Sequence, residues 1–286
     1  MVNLTLTPAV EVTKTCVRRR FRTSTCQACA DVCPAQVFSI TQSLVAVEAL
    51  HCIGCGHCLF VCPSEAISGI TPVKRHYRDD TLIAPFSAHA PTVNELLIWH
   101  RDYAIRFVAI EMSRSEEWIM AIANLNLTLR RCGEPEWAFK ADDPKGINVS
   151  RRALFHVPRP QTEQRSVKPG IRSLRKDFPK ASARQILLDL SGCQMCGACW
   201  RTCAVGAIRF ENSELVLDSA LCTGCEGCAS ACMHQALRIE KSAENSQVTH
   251  VSTHEKQCVS CHSHFKTVSS KESQCFLCKH HTHGMR

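Results

Sequence analysis

At 286 residues the chain is longer than one small core needs and suits two or three modest domains. No run approaches the roughly 18 consecutive apolar residues of a membrane helix, and Met1 to Val12 mix polar with apolar side chains, so neither a membrane span nor a secretory signal is expected. The 21 cysteines, arranged almost wholly in short C-x2-C steps, are therefore read mainly as metal ligands in a soluble, cytoplasmic protein rather than as a disulfide framework, and the formal charge of +8 needs separate explanation.

Residues 1–79 hold two cysteine runs around an alternating apolar segment. The first is Cys26-Gln27-Ala28-Cys29-Ala30-Asp31-Val32-Cys33-Pro34; Thr23 stands where the spacing asks for another cysteine, and Cys16 lies ten residues before Cys26. Lys14, Arg18, Arg19, Arg20 and Arg22 surround Cys16 with positive charge. Val37-Phe38-Ser39-Ile40 and Leu44-Val45-Ala46-Val47, joined through Thr41, Gln42 and Ser43, read as a β-hairpin. The second run is Cys52-Ile53-Gly54-Cys55-Gly56-His57-Cys58-Leu59-Phe60-Val61-Cys62-Pro63.

Residues 80–138 change character. Leu82-Ile83-Ala84 is strand-like, and Thr92-x-x-Glu95 forms a capping box that opens a helix through Trp99. Ile105 to Ile110 suits a buried strand. Ser113-x-x-Glu116 caps a second helix, with Trp118, Ile122, Leu125 and Leu129 on one face and an end near Gly133. This is a small βαβα spacer without a phosphate loop, and it reads as a structural layer. Its Cys132 stands far from every cysteine run and is read as a packed thiol.

Residues 139–183 read as a basic linker. Between residues 140 and 180, eleven Lys or Arg face four Asp or Glu, and six prolines or glycines precede Pro179. Self-repelling solvated chain and a docking strip for an acidic partner both fit that composition.

Residues 184–242 repeat the first segment. A β-hairpin, Ala207 to Glu211 and Glu214 to Leu217 around Asn212-Ser213, separates Cys193, Cys196, Cys199 and Cys203 from Cys222, Cys225, Cys228 and Cys232. Residues 243–286 form a Cys/His-rich tail. There Cys258-x2-Cys261 and Cys275-x2-Cys278 lie thirteen residues apart among His254, His262, His264, His280, His281 and His283. Two knuckles at that distance suit a zinc ribbon; a further four-iron cluster, a rubredoxin-like iron or a redox switch are the other readings. Cys258-Val259-Ser260-Cys261-His262 also has the form of a c-type haem attachment motif, which the absence of an export signal disfavours.

Three of the four main runs have the form C-x2-C-x2-C-x3-C. A tight loop of three cysteines can grip three irons of one cube, while the fourth leaves on a helix and reaches another cube; zinc knuckles are instead separated pairs. Small Gly54, Gly56, Gly197, Ala198, Gly224 and Gly227 let backbone approach inorganic sulfide. With thiolate ligands each site adds about −2, so four add about −8 and offset the formal charge; no nucleic-acid partner is expected, and binding through the basic linker and tail, which would depend steeply on salt, is the third reading.

Each repeated segment resembles the bacterial two-cluster ferredoxins over about 55 residues, so the chain reads as a duplicated member of that family, a polyferredoxin. The resemblance implies an α+β fold: two ferredoxin-like 4Fe-4S dicluster units joined by the α/β spacer and the basic linker, with a small C-terminal metal-binding tail. It also implies that the last cysteine of each run serves the other run's cluster. Cys52, Cys55 and Cys58 would then share a cluster with Cys33; Cys193, Cys196 and Cys199 with Cys232; Cys222, Cys225 and Cys228 with Cys203. Cys26, Cys29 and Cys62 would hold the fourth cluster, completed by Cys16, or left as a three-iron or water-ligated site. The family's proline after the last cysteine is kept as Pro34 and Pro63 but is Ala204 and Met233 in the second segment.

Ser150-Arg151-Arg152-Ala153-Leu154-Phe155 is similar to an element of accessory ferredoxins that serve formate dehydrogenase or nitrate reductase type molybdoenzymes, which implies a docking role. No Ser-His-Asp arrangement, paired carboxylates or phosphate loop argues for an independent active site. The expected function is electron transfer through four 4Fe-4S clusters to or from a partner oxidoreductase that docks on the linker. The alternative is an accessory factor that binds an oxidoreductase and assists its cofactor assembly.

Overall fold

A proline follows the last cysteine of each of the first two runs. In the computed structural model, which describes residues 9–41, 44–110, 116–140, 162–242 and 247–280, Cys33 and Cys62 terminate two five-residue helices in extended geometry, with ψ of 108° and 112°. A following proline disfavours the helical region for the residue before it. Two compact units result. The first comprises Met1–Thr13, Gln27–Thr41 and Val45–Leu174; the second comprises Lys14–Cys26, Gln42–Leu44 and Arg175–Arg286.

The first unit opens with β1 (Glu11–Val12), α1 (Ala28–Val32), β2 (Phe38–Thr41), β3 (Leu44–Val47), α2 (His57–Val61) and β4 (Ile67–Ser68). β1 pairs antiparallel with β4, and β2 with β3 forms a separate two-stranded sheet. Val37, Phe38, Phe60 and Ala66 are buried.

The remainder of that unit is layered. β5 (Arg75–Arg78), β6 (Thr81–Ile83), α3 (Val93–Asp102), β7 (Phe107–Val108), α4 (Glu116–Cys132), β8 (Ala138–Phe139) and β9 (Glu163–Arg165) precede α5 (Ile171–Asp177). The strands form one sheet in the order β8-β7-β6-β5-β9, with β6, β7 and β8 parallel. Thr92 caps α3 by accepting a bond from the Glu95 amide at 3.3 Å. α4 ends at Gly133, whose φ of +77° lets the chain turn back while the Glu134 amide reaches Leu129 O at 2.9 Å. The core is Leu82, Leu96, Leu97, Ile98, Trp99, Ile105, Trp118, Ile122, Leu125 and Leu129, all almost fully buried. The cap expected at Ser113 lies outside the described residues; Cys132 is half-buried at the end of α4.

Among its described residues, the stretch expected as a linker carries β9, α5 and a 3-10 turn at Pro179–Ala181. Ile171 and Leu174, three residues apart, bury one side of α5, Val167 is buried beside them, and the Arg172 amide bonds to Glu65 Oε1 at 3.2 Å. Prolines and glycines punctuate the stretch so densely that a two-residue apolar stripe carries little sequence signal. Residues 141–161, with the Ser150 to Phe155 element, lie outside the described residues.

The second unit repeats the element order of the first: β10 (Arg184–Leu188), α6 (Ala198–Thr202), β11 (Ile208–Glu211), β12 (Glu214–Asp218), α7 (Gly227–Ala231) and β13 (Leu237–Lys241). β10 pairs antiparallel with β13 along five residues, and β11 with β12 along four. The hairpin turns at Asn212 and Ser213, with φ of 50° and 60°, the doubly left-handed turn that matches strand twist. Cys203 and Cys232 leave their helices at ψ of 98° and 100°, so extended geometry persists where Ala204 and Met233 replace proline. β14 (Val248–Ser252) then adds a third strand beside β12, and β15 (His254–Gln257), β16 (His264–Thr267) and α8 (Phe276–His280) build the tail.

Residues 14–26 also belong to this second unit. Val17 and Phe21 lie 3.5 Å from where a Cβ would stand on Gly227, at the start of α7. Thr25 donates its hydroxyl proton to Glu226, and Thr23 donates to Ser230 O at 3.3 Å. The fold is mixed α and β with small sheets, and no helix among the described residues is long and apolar enough to cross a membrane.

Candidate metal centres

The three complete runs share a backbone conformation that their sequences do not share. The third position is Gly54, Met195 or Gly224, with φ of 70°, 51° and 75°. The fifth is Gly56, Gly197 or Glu226, with φ of 74°, 84° and 58°. Left-handed geometry disfavours side chains, so Met195 and Glu226 hold it at a cost of about 1–2 kcal/mol each. In the first run Gln27 occupies the fifth position at φ −126°, so that run departs in backbone as well as in ligand spacing.

The loops gather cysteines into sets. Cys33, Cys52, Cys55 and Cys58 line one cavity with Val37, Phe38 and Ile53. Cys193, Cys196, Cys199 and Cys232 line another with Leu188, Trp200 and Leu237. Cys203 lies close enough to Cys222 and Cys228 to interact electrostatically with both, as does Cys225. Burial pushes the Cys58 thiol up to about 12, with repulsion from Cys55, Cys33, Cys52 and Cys29 added. Burial likewise raises Cys199 and Cys222 to about 11 and Cys228 further. Such sets cannot ionise together in apolar surroundings unless a cation shares the site, and an iron–sulfide core supplies that positive charge. The donor sets therefore fit iron–sulfur clusters.

The remaining four cysteines are divided between the two units. Cys16 is buried at the start of a single helical turn in the second unit, where Cys26 O accepts from Arg18 Nε. In the first unit, Cys29 lies within α1, and Cys62 is buried with its Sγ accepting from the Ala66 amide at 3.2 Å. The Cys33 sulfur accepts from the Val37 amide at 3.4 Å, the same four-residue spacing. Amide bonds of this kind stabilise charge on sulfur and tune a bound cluster.

Three side chains escape sequence reading. Arg184, on β10, lies over the Cys222 loop, its Nε 2.6 Å from where a Cβ would stand on Gly224, and it draws the Cys222 thiol downward against burial. Arg201 is placed similarly over Gly197 and donates to Cys196 O at 3.3 Å. His57 is buried between two cysteines of its run, and burial followed by the Arg75 charge holds its imidazole below the usual range. Arginines are too common for the first two to signal a role, since strand pairing and a helical turn bring them to loops far from them or four residues away.

In the tail, the Sγ atoms of Cys258, Cys261, Cys275 and Cys278 all lie within 4.8 Å of one another. Among the described residues no other group of three or more Cys, His, Asp or Glu is so compact, and this one includes no histidine. His281 and His283 lie outside the described residues.

Residues 23–73 match the LdpA Fe-S cluster-binding domain. The chain is 34% identical over 89 residues to hydrogenase-4 component A of Escherichia coli (strain K12), an alignment covering 29% of this chain and 42% of that protein. It thus spans less than half the length of that relative. The chain is an iron–sulfur protein.

Proposed function

We propose that this iron–sulfur protein is a cytoplasmic one-electron relay, built from two ferredoxin-like dicluster units at residues 1–79 and 184–242 and holding four 4Fe-4S clusters. The observation that carries the reading is the grouping of cysteines from separate runs: Cys33 with the Cys52 loop, Cys232 with the Cys193 loop, and Cys203 with the Cys222 loop. That exchange is what a two-cluster ferredoxin requires. The fourth set, Cys16, Cys26, Cys29 and Cys62, rests on motif, and Cys16 precedes the residues matched by the cluster-binding family.

One-electron chemistry belongs to the clusters; the chain supplies spacing, burial, amide bonds to sulfur and fixed charge. No independent active site is assigned. The partner is an oxidoreductase, a class that the likeness to a hydrogenase component supports. It docks on the basic stretch at 139–183, through an element like that of accessory ferredoxins of molybdoenzymes.

Iron and sulfide quantification on the anaerobically purified full chain, followed by EPR during a reductive titration, tests the proposal. About sixteen irons in four reducible centres are expected; about half that iron removes one dicluster unit. Cys55→Ser should lose one centre and leave the rest. Clusters that no physiological donor reduces, in a chain that still binds an apo-oxidoreductase, would establish the assembly-factor reading instead.

A further inference from the structure

We infer that the tail is a structural zinc site in which Cys258, Cys261, Cys275 and Cys278 supply four thiolates, and that the bound zinc clamps the tail over the neighbouring Cys193 loop. A single ion with Zn–S bonds of about 2.3 Å sets its four sulfurs about 3.8 Å apart at the corners of a tetrahedron. The Cys261 and Cys275 sulfurs are 3.7 Å apart, and no pair among the four exceeds 4.8 Å. A four-iron cube carries its ligands on separate irons and spreads them farther, so the spacing selects one ion. It also exceeds the roughly 2.05 Å of a disulfide. Between zinc and ferrous iron, a tetrahedral sulfur site binds zinc more strongly.

The surrounding structure is built to hold the two knuckles together. β15 pairs with β16 from His254↔Thr267 to Gln257↔His264, presenting Cys258 directly after β15. The Val259 amide reaches Ser273 O at 3.1 Å, the Cys275 amide donates to Cys258 Sγ at 3.2 Å, and Gln274 Nε2 donates to Ser260 Oγ at 2.8 Å. Lys256 Nζ ties the hairpin to Glu272 O at 2.9 Å. Cys258 is fully buried although the tail has almost no apolar core of its own, a situation in which metal binding supplies folding energy.

The same unit carries the Cys193 set. Phe276, between Cys275 and Cys278, packs edge-on against His234 at 4.8 Å, and His234 lines the cavity of Cys193, Cys196, Cys199 and Cys232. Lys266 on β16 lies 4.7 Å over Phe210, which stacks on Trp200 beside Cys199. A cavity of about 730 Å³ is lined by Cys193 and Met195 on one side and by Phe265, Cys275 and Cys278 on the other. Fixing Phe276 through its two flanking ligands therefore fixes a wall of the Cys193 site.

The test uses the anaerobically purified full chain, with metals counted by plasma mass spectrometry and zinc examined by X-ray absorption. About one zinc per chain with four sulfur neighbours at about 2.3 Å is expected. The double variant C261S/C278S should lose the zinc, keep its iron when prepared anaerobically, and bleach one cluster severalfold faster than wild type in an iron chelator. C261H, which preserves a three-sulfur, one-nitrogen site, should keep zinc with one sulfur neighbour replaced by nitrogen. Iron in place of zinc, a disulfide among the four cysteines, zinc retained by the double variant, or an all-sulfur zinc shell in C261H would each overturn the assignment. An unchanged bleaching rate in the zinc-free double variant would overturn the clamp. Iron below four clusters with zinc intact would count against the relay alone.

Discussion

Replacing Arg184 by Met tests whether the guanidinium over the Cys222 loop tunes a centre held there. Arg184 is half-buried, its Nε stands 2.6 Å from a would-be Cβ on Gly224, and its charge already favours thiolate at Cys222. A unit charge about 8 Å from a cluster, in a medium of effective dielectric constant about 20, is worth about 2 kcal/mol. For a one-electron couple that is roughly 90 mV. Adding an electron is easier beside a cation, so its removal should lower the potential of one centre by about 50–90 mV and leave the others in place. Redox titration followed by EPR, at low and high ionic strength, reads the shift. Arg201→Met is the internal comparison: Arg201 is exposed over Gly197, so its smaller shift should shrink as salt rises, whereas the Arg184 shift should persist. No displaced component in R184M, or an equal displacement of all of them, would refute the argument that this loop holds a centre under Arg184.

Two further predictions concern the first unit. Arg75 and Glu95 form a bidentate pair at 2.6 and 3.1 Å with both side chains at most 5% exposed, so breaking it strands a buried charge. Glu95→Gln should cost about 3–5 kcal/mol, lowering the guanidinium midpoint followed by tryptophan fluorescence in a Trp200→Phe background by about 1 M. Arg75→Met adds a pH dependence, because burial already raises the Glu95 carboxyl and removing Arg75 takes away its largest opposing cause. Stability tied to a raised carboxyl is complete below its unfolded value of about 4.3 and is lost as pH rises through the folded value. R75M should therefore weaken progressively as pH rises above the unfolded carboxylate range while E95Q does not; parallel pH curves would contradict this. Gly69→Ala would place a Cβ 2.0 Å from Ala9 O at a φ of +80° and should cost about 3 kcal/mol or more, read as a drop in thermal midpoint. Gly54→Ala has open space and should cost only the left-handed conformation, about 1–2 kcal/mol; equal losses would refute the steric account.

Where a feature is local, the sequence carries it. Thr92 with Glu95 announces the start of α3, Gly133 its counterpart at the end of α4, and Asn212-Ser213 the tight turn between β11 and β12. The cysteine sets are legible for a different reason: ligand spacing is chemistry, and it survives changes of side chain at the left-handed positions. What spacing hides is how those positions are kept. Proline follows Cys33 and Cys62, yet Cys203 and Cys232 adopt the same geometry without it, each followed by a turn in which the amide three residues on donates to the cysteine carbonyl: Gly206 to Cys203 O at 3.3 Å and Gln235 to Cys232 O at 3.0 Å.

Residues 14–26 mark the limit of sequence reading and also explain why the first run is irregular. From spacing alone, Thr23 is a missing ligand and the arginine-rich loop is slack that brings Cys16 back. In the structure Thr23 and Thr25 are both engaged elsewhere, donating to Ser230 O on α7 and to the carboxylate of Glu226, the residue that precedes it, some 200 residues along the chain. Val17 and Phe21 close on Gly227, where any side chain would meet them at 3.5 Å. A cysteine at position 23 would give up the hydroxyl that makes the first of those bonds. The departure from the repeat is thus a different use of the segment: residues that would have completed a cysteine loop pack against α7 instead. Cys16→Ala separates the two roles, since loss of a ligand changes iron content and cluster spectrum without touching Thr23, Thr25, Val17 or Phe21. Thr25→Ala should do the reverse, loosening the segment by about 1 kcal/mol for one exposed hydrogen bond while leaving the iron count unchanged.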